Sequence, residues 1–244
     1  MKRHIVRLLG LGVLSFLALQ LFFGLRIAGM ALLDPQSTAF QRSEAWRLLT
    51  EKGQILWSQE WVDDEAIAAH LKRAVIASED AGFVDHSGIE WDAIEKAWDR
   101  NQRAEARAEQ RAARQPNRVV TAKVVGGSTI TQQLAKNLML SGERTVLRKA
   151  QEAVLTVWLE LFLPKRRILA IYLNNVEWGE GVFGAQAAAR HYFRVDAGKL
   201  GPEAAARLAV MLPAPKRFEQ RPGSAYVTGR AATIVARMGA VALP

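Results

Sequence analysis

Hydrophobic and polar positions along this 244-residue chain fall into two regimes, one continuous run and a series of helical stripes. The run extends from Leu8 to Leu25 and is interrupted only by Ser15 and Gln20. Its 18 residues, counted inclusively, would span about 27 Å as a helix, close to the ~30 Å hydrocarbon core of a bilayer. Lys2, Arg3, His4 and Arg7 precede it and Arg26 follows it. A secretory signal has a shorter apolar region and a small-residue cleavage site. No A-x-A site follows here, so the run reads as an uncleaved anchor. The preference for Lys and Arg on the cytoplasmic side then places the remaining residues outside.

Asp34-Pro35 ends that helix and opens a stretch over 34–64, expected to be a juxtamembrane connector. Its Trp46, Trp57 and Trp61 suit either a membrane interface or a core. From Asp64 the pattern becomes helical, with Ile67, Leu71, Ala74 and Val75 at three-and-four spacing. A glycine-containing turn over 79–88 leads to a helix over 91–98. An arginine-rich run over 100–118 continues it with almost no apolar face. That run is either a solvated helix or mobile segment, or a contact for anionic headgroups. Further helices are predicted over 128–140, 145–162, 166–174, 185–192, 202–212 and 227–238. Pro164 and Pro213-Ala214-Pro215 break them, and Gly179, Gly181 and Gly184 mark a loop. Strand-like alternation is scarce, so the expected class is mainly α.

Composition narrows the chemistry. Half the residues are hydrophobic, enough for a sizeable core, and the net charge is +9. That excess points to a polyanionic partner: nucleic acid, anionic lipid or a phosphorylated substrate. An extracytoplasmic domain removes nucleic acid from the set. With no cysteine and only four histidines, none in an H-E-x-x-H spacing, a thiolate or zinc site is not expected.

Three groups of residues can carry chemistry. Glu79-Asp80 sits where a helix yields to a turn. Adjacent acids at a surface turn are common, but Phe83 and Ile89 can shield these two, and desolvation raises a glutamate toward general acid/base use. Gly126 to Asn137 reads GGSTITQQLAKN. Its glycines admit a ligand to the backbone, and the following helix N-terminus favours anions. Thr129 with Gln132 also fits a capping box. Gln132 and Lys136, four apart, would project donors to one place, which suits a phosphate or a sugar. The string lacks the ending of a nucleotide P-loop.

In the next helix Arg144, Arg148 and Glu152 stand at four-residue steps. A surface ladder would gain only ~0.2–0.5 kcal/mol per pair, and Arg ahead of Glu is the weaker orientation. The opposite face (Val146, Leu147, Ala150, Val154, Val157, Trp158, Leu161) is apolar, which gives the charged stripe a defined direction. The alternative to a ladder is that both arginines, with Lys136, bind a diphosphate while Arg148 orients Glu152 or Glu152 holds a metal ion.

Together these strings resemble the peptidoglycan glycosyltransferase family (glycosyltransferase family 51) in its monofunctional, membrane-anchored form. Five blocks carry the resemblance: Glu79-Asp80 with Phe83, His86 and Gly88; Gly126 to Asn137; Arg148-Lys149 with Glu152; Lys165, Ile168-Leu169 and Tyr172-Leu173-Asn174 through to Tyr192-Phe193; and Leu208 to Pro215. They lie in order over about residues 65–240, and the second is the most specific. Ala170 and Gln186 depart from acids common at those places. The segment between the first two blocks is longer than usual.

The resemblance implies a lysozyme-like, two-lobed helical domain over 65–244, behind a basic flank and transmembrane anchor over 1–33. The substrates would be the growing glycan strand and a disaccharide-pentapeptide, each on a polyprenyl diphosphate. The catalytic residues would be Glu79, as base, and Glu152. Asp80, Ser128, Gln132, Gln133, Lys136, Arg144, Arg148 and Lys149 would bind substrate. No cofactor is obligatory; a divalent cation, Mg or Mn, would sit at Glu152. The expected location is the cytoplasmic membrane, single-pass with the catalytic domain outside, alongside other cell-wall synthesis or division proteins. Two rivals remain: a lysozyme-like hydrolase of the same polymer, which needs no diphosphate site, and a non-catalytic assembly factor. The length leaves no room for a transpeptidase domain.

Overall fold

The computed structural model describes residues 2–114, 126–140 and 145–244, so Arg144 and the end of the arginine-rich run lie outside the described residues. Helices α1 (Lys2–Gly29) and α2 (Ala39–Lys52) come first, followed by the short strand β1 (Ser58–Gln59). Next come α3 (Ala69–Glu79), α4 (Trp91–Arg114), α5 (Ile130–Met139), α6 (Val146–Phe162) and α7 (Lys165–Asn175). The chain continues with β2 (Glu177–Gly179), β3 (Val182–Phe183), α8 (Ala185–Phe193), α9 (Pro202–Met211), α10 (Pro215–Phe218) and α11 (Ala225–Met238). The architecture is mainly α, as the periodicity implied. The 91–98 helix and the start of the arginine-rich run form one helix, α4.

Local chemistry accounts for the helix ends that frame the site. Thr129 accepts the Gln132 amide N–H at 3.1 Å, and the Gln132 side chain accepts the Thr129 N–H at 3.0 Å. This reciprocal box satisfies two donors left unpaired at the start of α5. Thr145 caps α6 by accepting the Arg148 N–H at 3.1 Å, and α6 stops ahead of Pro164.

Two helix groups result. In one, α3, α9 and α11 pack on each other; in the other, α5 packs on α6 and α7. A single apolar core runs through both, including Leu71, Ile76 and Phe83 near α3, and Ile130, Leu134, Leu155, Leu159 and Tyr172 from the second group.

The 34–64 stretch is more than a connector. Thr38 and Gln41 form a second capping box that starts α2, which packs on α5. Gln59 pairs with Phe183 in a three-stranded sheet of order β1-β3-β2. The predicted 179–184 loop is therefore a hairpin. Gly184 leaves it at φ 82°, where a Cβ would stand 2.6 Å from the Asn174 carbonyl oxygen, so this turn into α8 requires glycine. Trp57 stacks on Phe183 with centroids 4.4 Å apart, whereas Trp46 is exposed.

α1 is long and apolar enough to cross a membrane. Its last turns rest on α6. Gln20 and Gln151 exchange side-chain hydrogen bonds of 2.9 and 3.3 Å, and a Cβ at Gly24 would touch Phe162 and Trp158 at 3.7 and 3.8 Å. Arg167 fixes the exit from the helix. It donates to the Met30 and Leu33 carbonyls at 2.7 and 3.0 Å and pairs with Asp34 at 2.8 Å.

The orientation of α6 reverses the surface-ladder reading. Glu152 is buried with Leu155, Thr156 and Leu159, which share its face and enter the core. Val146, Leu147 and Leu161 stand 86, 83 and 65% exposed. The charged stripe turns inward and the apolar stripe outward.

Candidate active site

The site is assembled where the end of α3 meets the start of α5. Glu79 is the last residue of α3, half-buried. Its Oε2 accepts the Gln133 Nε2–H at 3.1 Å, and its Oε1 accepts the Ser78 hydroxyl at 3.3 Å. Desolvation pushes its carboxyl above the usual range. Asp80 reinforces the shift, while the Gln133 and Ser78 donors oppose it.

Asp80 turns the other way and serves the scaffold. Its Oδ2 accepts the Ile130 N–H at 2.9 Å, binding the N-terminus of α5 to the end of α3. Its Oδ1 lies 2.8 Å from His86 Nε2. His86 Nδ1 accepts the Gly88 N–H at 3.0 Å, so Nε2 carries the ring proton and donates to Asp80. Thr129 closes the turn by donating its hydroxyl to the Gly88 carbonyl at 2.6 Å. Ligand atoms of Asp80, His86 and Glu90 come within 4.8 Å of one another. The Asp80–His86 arrangement is nonetheless a closed hydrogen-bond set, with both Asp80 oxygens and both ring nitrogens engaged. Asp80 is therefore a joint between elements.

A cationic group borders this joint. Arg148 donates to Glu152 Oε2 at 2.8 Å, and Lys149 pairs with Glu152 Oε1. Lys149 Nζ also reaches Ser128 Oγ at 3.5 Å. Ser128 and Ile130 are two residues apart, at most about 7 Å along the chain, so the Lys149 contact and the Asp80 contact flank Thr129 at the start of α5. With Arg148 and Lys149 on its two oxygens, Glu152 orients these two cations. A second acid group lies behind: Glu160 pairs with Lys165 at 2.8 Å and accepts the Thr131 hydroxyl at 2.6 Å, and Lys165 Nζ stands 4.5 Å over the Phe83 ring.

Two expected substrate ligands have other duties. Gln132 is buried and its side-chain oxygen is taken by the cap of α5. Gln133 is committed at both ends, to Glu79 and to the Tyr172 hydroxyl, which donates to its Oε1 at 3.0 Å. Lys136 is exposed one turn beyond Gln132. Tyr172 was visible in sequence only as a member of a resembling block. Its spacing on α7 marks a core residue, and nothing local links it to Glu79.

Residues 50–239 match the family described as Transglycosylase. A biosynthetic peptidoglycan transglycosylase of Burkholderia pseudomallei (strain K96243) is 50% identical over 230 residues, covering 94% of this chain and 84% of that protein. One from Cupriavidus pinatubonensis (strain JMP 134 / LMG 1197) is 50% identical over 250 aligned positions, covering 99% and 92%. One from Paraburkholderia phytofirmans (strain DSM 17436 / LMG 22146 / PsJN) is 46% identical over 243, covering 99% and 94%. With a family match over most of its length and relatives about half identical across nearly all of it, this chain belongs to the transglycosylase family.

Proposed function

We propose that the protein polymerises peptidoglycan glycan strands at the outer face of the cytoplasmic membrane. The observation that carries this reading is the juxtaposition of a partly desolvated glutamate with a buried-edge cation group across the start of α5. The acceptor is a lipid-linked disaccharide-pentapeptide, and Glu79 takes the proton from its 4-hydroxyl. The freed oxygen attacks the anomeric carbon of the growing strand, whose bond to diphosphate breaks. Attack opposite the leaving group inverts an α-linked donor to a β-1,4 product, and polyprenyl diphosphate departs. Arg148 and Lys149, with Lys136 and Arg144, neutralise the diphosphate, and Ser128 contributes a hydroxyl beside Lys149. Glu152 holds Arg148 and Lys149 in place. The scheme needs no obligatory cofactor, and Glu152 is the residue that would hold Mg or Mn.

The same reading gives the outward apolar stripe of α6 a use. α6 touches α1 at Gln20 and Gly24, inside the last three turns of the anchor. Val157 and Leu161 then lie at the membrane boundary, where exposed apolar area is stabilised by lipid. Lys2, Arg3 and Arg7 remain on the cytoplasmic side.

The test is strand formation by the purified full-length chain from lipid-linked disaccharide in detergent. Wild-type protein should polymerise it, and Glu79→Gln should bind the precursor without polymerising it. Near wild-type polymerisation by Glu79→Gln removes the base assignment. Cleavage of finished glycan in place of polymer formation overturns the reading in favour of a hydrolase.

A further inference from the structure

Tyr172 is buried in the core on α7, and its hydroxyl donates to Gln133 Oε1 at 3.0 Å. The other end of the same amide donates from Nε2 to Glu79 Oε2 at 3.1 Å. Three elements, α7, α5 and α3, are thereby joined by a two-bond chain that ends on the Glu79 carboxylate. A phenylalanine would fill the Tyr172 cavity equally well, and burying a hydroxyl is favourable only when it finds a partner. An amide held at its oxygen by a donor presents only its N–H end to the carboxylate. We infer that Tyr172 is a positioning residue that acts through Gln133, pinning the amide so that its N–H group holds and orients Glu79 for proton acceptance. This rests on the assignment of Glu79 as the base.

The electrostatics agree with the geometry. Burial, together with Glu79 and Asp80, pushes the Tyr172 phenol well above its usual value, so it remains a protonated donor across the working range. The groups acting on Glu79 are Asp80 beside it, Ser78 one residue back, the Gln133 amide from α5 and Tyr172 from α7. Asp80 is in turn held by His86 and the Ile130 N–H. A donated N–H favours the ionised carboxylate and lowers the Glu79 pKa, against the upward push of desolvation. Loosening the amide therefore raises that pKa. Because the base must be ionised, activity is lost as pH falls through it, and the acidic limb of the rate profile moves to higher pH.

The experiment is the pH dependence of kcat for strand formation by full-length Tyr172→Phe, Gln133→Leu and the double variant. Each single variant should move the acidic limb upward by about one unit, which is about tenfold in rate below the limb. KM for the lipid-linked disaccharide should stay within about twofold, and the double variant should move no further than Gln133→Leu. Gln133 is half-buried, so if Tyr172→Phe folds poorly an unmoved limb in Gln133→Leu still overturns the inference. A loss of kcat with an unmoved limb overturns the inference and makes Tyr172 a packing residue. That result with an inactive Glu79→Gln refutes the relay alone, whereas an active Glu79→Gln refutes the base and the relay with it.

Discussion

Replacing Glu152 by Gln separates the structural from the chemical share of the cation group. The glutamate is buried and accepts from Arg148 at 2.8 Å, while the Arg148 and Lys149 side chains are 17 and 53% exposed. Removing one member of a fully buried pair costs about 3–5 kcal/mol. Two features reduce that figure here. Gln keeps one acceptor for Arg148, and the exposed Lys149 contributes under ~1 kcal/mol. What remains is the charge assistance of the Arg148 bond, about 2 kcal/mol. Arg148 Nε has no hydrogen-bond partner, so no second acceptor takes up the charge. For a chain of this size about 2 kcal/mol corresponds to a melting temperature lower by roughly 4–8 °C. Lys149→Met is the counterpart, expected to leave the melting temperature nearly unchanged yet lower strand formation strongly if, as proposed, the lysine serves the diphosphate. Thermal unfolding by circular dichroism and polymerisation of lipid-linked disaccharide, on the same detergent-solubilised samples, read both. Unchanged melting in Glu152→Gln, or equal losses of melting temperature and activity in Lys149→Met, would refute the division of roles.

Two further predictions concern parts away from the chemistry. Glu177 is buried beside Glu44, Glu219 and Lys216, and burial pushes its carboxyl up to about 7. A raised carboxyl weakens the fold progressively as pH climbs from about 4.5 toward 7, since the folded state resists ionisation. Glu177→Gln should therefore gain stability of about 3 kcal/mol at pH 8 and almost none at pH 4; an equal gain at both would exclude this cause. Gln20→Leu strands the Gln151 amide and should destabilise the α1–α6 contact by about 1–3 kcal/mol. The Gln20→Leu/Gln151→Leu pair should lose less than the two single variants added together, as a double-mutant cycle on thermal unfolding would show, and simple additivity would mean that the amides do not interact.

Much of the helical layout is legible from local chemistry alone. The Thr129/Gln132 box starts α5 where the pattern predicted, Pro164 ends α6, and the apolar run forms α1. Thr38 and Gln41 carry the same signature, so the start of α2 was equally readable, although its weak apolar stripe conceals the helix. The strands were not readable, because two or three residues cannot display an alternation and β1 lies more than a hundred residues from its partner.

What sequence determined by itself is therefore the set of short-range features: caps, breaks, the long apolar helix α1 and the candidate acids and cations. Tertiary structure decided which way they face. α6 offers two stripes, one with charges and one apolar. Packing of Leu155 and Leu159 into the core between α6 and α5 turned the charged stripe inward, so Glu152 became a buried clamp and the apolar stripe was left for α1 and the surface. Likewise Asp80 and Gln133 carry the residue types of substrate ligands, but contacts 50 and 54 residues away in sequence made one a joint and the other a bridge from Tyr172 to Glu79. A hydrogen-bond donor or acceptor is chosen by what folding brings within about 3 Å of it, and spacing along the chain carries that information only within a few turns of a helix.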